Sequence, residues 1–326
     1  GCRMCLTIYP VKASYLKGKQ HQLENILSEH TKFGMYETHT IKHDHEIFER
    51  SEFKEIEVVK SLKDRAYRQI GSSGGGNHFV EFGLVRITEA ENEFNLPVGE
   101  YMGLLSHSGS RGLGANIAKH YTNAAKAITK LPQEAKHLAW LDMDTDLGKE
   151  YWAAMNLAGD YASACHHQIH DRMAVGLHTK PLARVENHHN FAWKEKNALG
   201  EEVIVHRKGA TPAGAGVLGV IPGSMTAPGY IVRGRGIAHS INSAAHGAGR
   251  VMSRTKAKQS LEKSDVVKHL NDHNVEVIGA GLDEAPMAYK DINTVMNSQH
   301  ELVDILGSFT PKVVRMCGDN RFKEVD

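Results

Sequence analysis

Many of the 21 histidines in this sequence stand beside glycine or a small polar residue instead of inside apolar periodic segments. An imidazole in such company is suited to bind a metal, carry a proton or attack an electrophile. The sharpest segment is Ala245-His246-Gly247-Ala248-Gly249-Arg250. Neighbours this small leave His246 open to a bulky phosphorylated substrate, and Arg250 could brace the phosphate. A histidine nitrogen can itself attack phosphorus, giving a phosphoramidate whose leaving group is good once protonated. On the residues alone, general acid and buried core histidine stay open as alternatives.

Two glycine-rich segments repeat one design. In Gly74-Gly75-Gly76-Asn77-His78 the glycines let backbone N–H groups approach an anion while Asn77 and His78 supply directed contacts. The plainer alternative is a tight turn with a hydrogen-bonded histidine. Ser106-His107-Ser108-Gly109-Ser110-Arg111-Gly112 again sets a histidine among small residues, with Arg111 suited to fork a phosphate. In Asn187-His188-His189-Asn190 either histidine could coordinate a metal while the asparagines fix ring orientation, unless the segment is a surface loop. Cys2 and Cys5 form a C-x-x-C with no second such pair, which favours a thiolate shared with distant histidines over a zinc ribbon. Cys165, His166, His167 and His170 share a helix face but interrupt a long packing helix with no glycine loop nearby, so a structural role is expected for them.

These segments need elements to hold them. Apolar spacing predicts helices over residues 17–33 and 53–70, another from about Ala115, and the longest over residues 150–177. His78-Phe79-Val80-Glu81-Phe82 alternates like a short strand, and Met102-Gly103-Leu104-Leu105 reads as a buried strand delivering the loop of His107. Beyond residue 200, short β-like runs at 202–206, 217–221 and 230–232 alternate with glycine-rich turns. No fixed repeat and no low-complexity linker divides the chain, so one large α+β domain over residues 1–326 is expected.

Composition narrows the classes. Hydrophobic residues at 41% and charged residues at 24% match a globular protein, not a disordered or fibrous one. No apolar run approaches the ~20 residues that span a bilayer, and no signal peptide is legible, so the expected compartment is the cytoplasm. Four scattered cysteines do not make a disulfide framework. With 39 Lys and Arg against 38 Asp and Glu, a polyanion partner requires local segregation of charge. Residues 203–261 provide it: no acid occurs there, while Arg207, Lys208, Arg233, Arg235, Arg250, Arg254, Lys256 and Lys258 do.

Taken in order, Gly74-Gly75-Gly76-Asn77-His78-Phe79-Val80-Glu81, His107-Ser108-Gly109-Ser110-Arg111-Gly112, Arg207-Lys208-Gly209-Ala210, Pro222-Gly223-Ser224-Met225, His246-Gly247-Ala248-Gly249-Arg250-Val251-Met252-Ser253-Arg254 and Ala288-Tyr289-Lys290-Asp291 resemble the RtcB RNA ligase family. The resemblance runs from Gly1 to about Cys317. It implies an α+β fold particular to that family, with mixed or antiparallel sheets flanked by helices. It also implies GTP-dependent joining of RNA 2′,3′-cyclic phosphate or 3′-phosphate ends to 5′-hydroxyl ends, in RNA repair or tRNA splicing. His246 would take the guanylate, and Cys2, His78, His107 and His189 would hold two manganese ions with Cys2 bridging.

By the same resemblance the guanylate would lie against Asn77, His78, Phe79, Val80, Glu81, His189, Asn190, Pro222, Gly223, Ser224, Met225, His246, Gly247, Ala248, Gly249 and Tyr289, with Glu81 facing the base. Arg111, Arg207, Lys208 and Arg250 would meet RNA or phosphate, and the acid-free stretch would line an RNA groove. The implied partners are broken or intron-cleaved RNA, tRNA among it, and an archease-like activator. The chain departs from the family pattern at several places. The metal-ligand aspartate three residues before the cysteine would precede Gly1, along with the upstream part of a family member. Arg3 replaces a glycine, Gly229 replaces a guanylate-contacting serine, and Met316-Cys317-Gly318 stands where a guanine-reading lysine-glycine is usual. The competing classes are a metal-dependent phosphohydrolase or nucleotidyltransferase, and a non-catalytic RNA-binding relative.

Overall fold

The computed structural model describes residues 1–40, 44–197 and 199–318. Its strands, in chain order, are β1 (Cys2–Lys12), β2 (Phe79–Ile87), β3 (Gly99–Gly109), β4 (Ala183–His188), β5 (Asn190–Lys196), β6 (Glu202–Lys208), β7 (Ala210–Pro212), β8 (Leu218–Ile221), β9 (Gly229–Gly234), β10 (Ser243–Ala245), β11 (Glu276–Ile278) and β12 (Val303–Met316). The helices that matter below are α1 (Gln20–His30), α2 (Glu57–Gln69), α3 (Arg111–Ile128), α4 (Asp146–Gly176), α5 (Arg254–Ser260) and α6 (Lys263–Asp272). The main sheet runs β4-β1-β3-β2-β12-β9-β8, antiparallel throughout, with β11 parallel against β12. Two small ribbons, β5-β6 and β7-β10, complete the α+β architecture.

Successive side chains of a strand point to opposite faces, so cross-strand register sorts the sequence into two sets. Val80, Phe82, Met102, Leu104 and Val313 pack against Leu23 and Leu27 of α1 and Ile169 and Met173 of α4. Met4, Leu6, Leu105, Val85, Val220, Ile231 and Phe309 make a second core on the other face. Burial on both faces is why β3 reads as a continuous apolar run and not as an alternation. A third core joins α2, α3 and α4 through Val59, Ala66, Leu113, Ile117, Leu157 and Tyr161, with Phe48 and Phe53. Among the described residues no helix is long and apolar enough to cross a membrane.

The 31-residue α4 starts where Thr145 accepts a hydrogen bond from the Gly148 N–H at 3.1 Å, an N-cap that satisfies one of the exposed donors of the first turn. Two of the expected helices are shorter. The first ends at His30, where the Thr31 hydroxyl bonds back to Leu27 O at 2.7 Å. The second divides at Ile56, whose extended backbone separates the turn Glu52–Glu55 from α2. The segment Ser106-His107-Ser108-Gly109, expected as a loop, is the end of β3, and α3 follows at once from Arg111.

Two glycines shape the centre of the sheet. Gly83 of β2 lies opposite Gly103 of β3, and the Phe309 ring of β12 lies over both. A Cβ on Gly83 would collide with the Thr310 carbonyl and stand 2.5 Å from Phe309 Cζ, and one on Gly103 would stand 2.5 Å from Val85 Cγ2. The ring fills what the missing side chains leave open. Pro311, which lacks a ladder donor, falls at the irregularity between Pro311 and Val313, where a central strand tolerates it. Gly83→Ala should cost about 1–3 kcal/mol through overpacking. Equilibrium urea unfolding checks this, and a variant as stable as the parent would show that the sheet relaxes around the new methyl.

Candidate active site

Register brings the histidines together. Cys2 at the start of β1 lies opposite Gly109, while Met4 and Phe79 both lie opposite His107 of β3. His78 immediately precedes β2, and His189 immediately follows β4. The antiparallel order therefore carries four distant sequence positions to one edge of one face. Ligand atoms of Cys2, His78 and His107 lie within 4.8 Å of one another. Nε2 of His107 is 3.0 Å from Nε2 of His189, whose ring centre is 5.2 Å from that of His246. The five residues form one continuous row.

His188 and His189 are separated by parity. His188 pairs with Arg3, so both lie on the helix face: Arg3 Nε donates to His188 Nε2 at 2.8 Å, and the ring stacks on Phe191. Arg3 also pairs with Glu186 at 2.9 Å, so it adds no charge to the histidine row.

Hydrogen bonding fixes what the row can offer. The carbonyl of Asn77, 3.0 Å from His107 Nδ1, requires a donor, which leaves Nε2 of His107 as a lone pair facing His189. Burial, reinforced by the neighbouring imidazoles, holds the pKa of His78 and of His189 well below 6.5, so both rings are neutral. His189 Nδ1 is buried with no hydrogen-bond partner among the described residues. Neutral imidazoles converging beside a cysteine sulfur are the donor set of a soft or borderline divalent cation.

Beside the row lies a cavity of about 300 Å³. Asn77, Phe79, Glu81, His189, Pro222, Gly223, Ser224, Met225, His246, Gly247, Ala248, Gly249 and Tyr289, all marked by the sequence, line it. His78, Val80 and Asn190 do not. His78 belongs to the metal-ligand cluster, and Val80 points into the core on the opposite face. The sequence had not marked the apolar walls Met4, Leu105, Phe309 and Val314, or Glu284 at the rim, while Arg254, read as one of the basic residues of the acid-free stretch, also lines the cavity. Met316, which stands where the resemblance would put a guanine-reading lysine, also lines the cavity. Gly229 lines the cavity too, and a Cβ on it would stand 3.1 Å from Pro222 Cα and 3.2 Å from Ile221 O, so a larger residue there needs the neighbouring strand to give way.

Glu81, one of two carboxyls lining this cavity, is only 4% exposed, and burial alone raises its pKa well above 4.5. At the rim, burial also raises the pKa of Glu284, opposed by the Tyr289 hydroxyl and by Arg254 and Arg250. Arg254 reaches Glu284 at 3.0 Å, while Arg250 lies over the Tyr289 ring and donates to Asp283 O at 2.5 Å. Burial likewise lowers the pKa of His246, partly offset by a hydrogen bond with the Gly209 backbone. A Cβ on Gly209 would stand 3.8 Å from His246 Nδ1, so that edge of the ring faces Gly209.

Three of the four cations expected at phosphate are engaged with protein groups, Arg250 with the Asp283 carbonyl and Glu284. Arg111, buried, donates to Gly34 O at 2.6 Å and to Ser72 Oγ at 3.3 Å, tying the start of α3 to the segments on either side of α2. Arg207, also buried, pairs with Glu195 at 2.5 Å, donates to Ser243 Oγ and Ile241 O, and lies over Trp193. Both hold the fold together, because their acceptors come from segments far away in sequence. Lys208 is exposed and Arg250 lines the cavity.

Comparison with known proteins places this geometry. The family model described as tRNA-splicing ligase RtcB matches residues 6–316. The RNA-splicing ligase RtcB of Escherichia coli K12 is 34% identical over 261 residues, covering 75% of this chain and 60% of that protein. The tRNA-splicing ligase RtcB of Methanococcus maripaludis is 30% identical over 332 residues, covering 87% and 68%. That of Methanocaldococcus jannaschii is 30% identical, covering 92% of this chain and 35% of its own length. The chain thus spans about 60% of the first of these relatives. With the family match running through nearly all the described residues, and the motif histidines gathered at one sheet edge, the chain belongs to the RtcB family.

Proposed function

We propose that residues 1–326 form one catalytic domain of an RNA ligase. It joins an RNA 2′,3′-cyclic phosphate or 3′-phosphate end to a 5′-hydroxyl end, using GTP and manganese, through guanylate carried on His246. The carrying observation is the row from Cys2, His78 and His107 through His189 to His246, opening on a cavity that holds Glu81. The RNA would be broken or intron-cleaved, with tRNA the first class to test and an archease-like activator the first partner. The cytoplasm is the compartment this reading requires.

The donor set fits two divalent cations on Cys2, His78, His107 and His189, and would hold zinc as well as manganese. Bound there, the cations would neutralise triphosphate charge and polarise the α-phosphorus. His246 is neutral at physiological pH because burial lowers its pKa, so a ring nitrogen has the lone pair that attack requires. Its Nδ1 edge faces Gly209, which leaves Nε2 for phosphorus. Attack forms the N–P bond and expels pyrophosphate. A 2′,3′-cyclic end is first opened by water to the 3′-phosphate and a 2′-hydroxyl; the RNA 3′-phosphate then takes the guanylate and frees His246, and the 5′-hydroxyl displaces GMP to seal the strand. Glu81 accepts from the N1–H and amino group of guanine, a donor pair that adenine lacks. Lys208 and the exposed basic residues of the acid-free stretch would meet the RNA backbone.

With labelled GTP, a covalent acid-labile adduct is expected on the parent and none on His246→Ala, whose fold should persist because glycine neighbours give the ring little packing. A normal adduct in that variant would remove His246 from the nucleophile role, and none on the parent would favour the hydrolase reading.

His107→Ala and His189→Ala should each bind less manganese in metal analysis after equilibration. Unchanged occupancy in both would sink the metal assignment.

Glu81 makes a pH prediction. Its folded pKa lies above 4.5, so the folded chain binds the extra proton, and stability falls as pH rises from about 4.5 through the raised value. Glu81→Gln should flatten that fall in urea unfolding across the window. Guanine favours the carboxylate, so GTP binding should release a proton, detectable by calorimetry in buffers of different ionisation enthalpy. Glu81→Ala should erase most of the preference for GTP over ATP, each unpaired base contact costing about 1–3 kcal/mol. Undiminished discrimination would place base reading elsewhere.

A further inference from the structure

The histidines on α4 that the ligase mechanism does not use sit directly behind its metal-facing strands. Cys5 and Thr7 of β1, Ser106 and Ser108 of β3, and His166 and His170 of α4 share the helix face, all fully or almost fully buried. Arg184 Nε lies 3.2 Å from Thr7 Oγ1, which lies 2.7 Å from His170 Nδ1. His170 Nε2 is 2.7 Å from Ser106 Oγ, which is 2.6 Å from His166 Nδ1, and His166 Nε2 is 3.3 Å from Ser108 O.

The two ends of this chain admit one direction of proton donation. A guanidinium only donates and a carbonyl only accepts. His166 must therefore carry its proton on Nε2, so Ser106 donates to His166 Nδ1. The Ser106 oxygen then accepts from His170 Nε2–H, which leaves His170 Nδ1 to accept from Thr7, whose oxygen accepts from Arg184. Every ring nitrogen is satisfied with both imidazoles neutral. Burial agrees, holding His166 to about 3 and His170 well below 6.5. Cys5, His166 and His170 could by spacing hold a metal, but the ring nitrogens are engaged and burial keeps the Cys5 thiol protonated.

We infer that Thr7, His170, Ser106 and His166 form a proton-ordered clamp that fixes Ser106 and Ser108, and so sets His107 between them in the position where its ring meets His78, Cys2 and His189. The inference rests on the reading of His107 as a metal ligand. These four are positioning residues: they act through the backbone of β3 and touch neither metal nor nucleotide. Removing one link leaves buried ring nitrogens without partners and lets the strand end shift, and a site built from four segments registers such a shift in its metal affinity.

The test is manganese binding, followed by electron paramagnetic resonance titration, on the full chain. Ser106→Ala should bind manganese about 10–100-fold more weakly, the loss typical when a supporting hydrogen bond behind a metal ligand is removed. Cys5→Ala, which trims the same layer without entering the chain, should bind as the parent does. Should Ser106→Ala not fold, Thr7→Val removes the first donor at constant shape, and Thr7→Ser should restore affinity. Histidine ¹⁵N shifts should show both His166 and His170 as neutral Nε2–H tautomers. Parental affinity in Ser106→Ala or Thr7→Val, alongside lost affinity in His107→Ala, overturns the clamp while sparing the metal reading. Parental affinity in His107→Ala overturns the metal reading, and the clamp with it. Stoichiometric zinc in the purified protein that disappears in Cys5→Ala also overturns the clamp, since a cation would then occupy the layer.

Discussion

The register of β1, β3 and β2 is the constraint on which the rest depends. Met4, His107 and Phe79 lie in line on one face, and Cys5, Ser106 and Val80 on the other. A slip of one residue in any of the three strands would exchange a side chain on the face of the histidine row for one that belongs under α4. The register is therefore held on both sides. Phe309 locks into the hollow of Gly83 and Gly103 on the cavity face, while hydrogen bonds with His166 and His170 grip Ser106 on the helix face. Fold and site thus share one interaction. The floor of the cavity is the core of the sheet seen from its open end.

That dependence explains which parts were legible. His78, Glu81, His107 and His246 stand in local patterns, where glycine marks a close approach of backbone to ligand, and such signals survive without knowledge of the fold. Whether His188 or His189 faced the site could not be read from Asn187-His188-His189-Asn190, because the answer lies in the pairing of Arg3 with His188, far away in sequence. The same holds for Met4, Phe309, Val314 and Met316, each an ordinary apolar residue until strand order sets it beside Glu81. Arg111 and Arg207 show the converse error. An arginine beside glycine looks like a phosphate fork when its acceptors, Gly34 O and Glu195, cannot be seen. The end of β3 read as a loop because small polar residues usually signal a turn. Here they are small and polar because α4 presses histidines onto them.

Electrostatics gives the site its direction. The interior carries little net charge: His78, His189 and His246 are neutral, and burial favours the protonated form of Glu81. On the proposed reading a triphosphate would need cations to enter such a space, since an unpaired buried anion is strongly penalised, and metal on the histidine row would supply them beside Arg250 and Arg254 of the lining. The base faces the opposite demand. On the proposed reading guanine would bring donors to a carboxyl that gives up its proton to receive them, so phosphate and base would be recognised by opposite adjustments of charge.

The rim completes this logic. Arg250, Arg254 and Lys258 are held by Asp283 and Glu284, an arrangement that in isolation would keep the guanidinium groups from any phosphate. Glu284, however, is the carboxylate of this group that burial drives toward protonation, and Tyr289 already donates to it. The Tyr289 hydroxyl and the two arginines offset that burial, which is why a carboxyl only 2% exposed is tolerated beside the cavity.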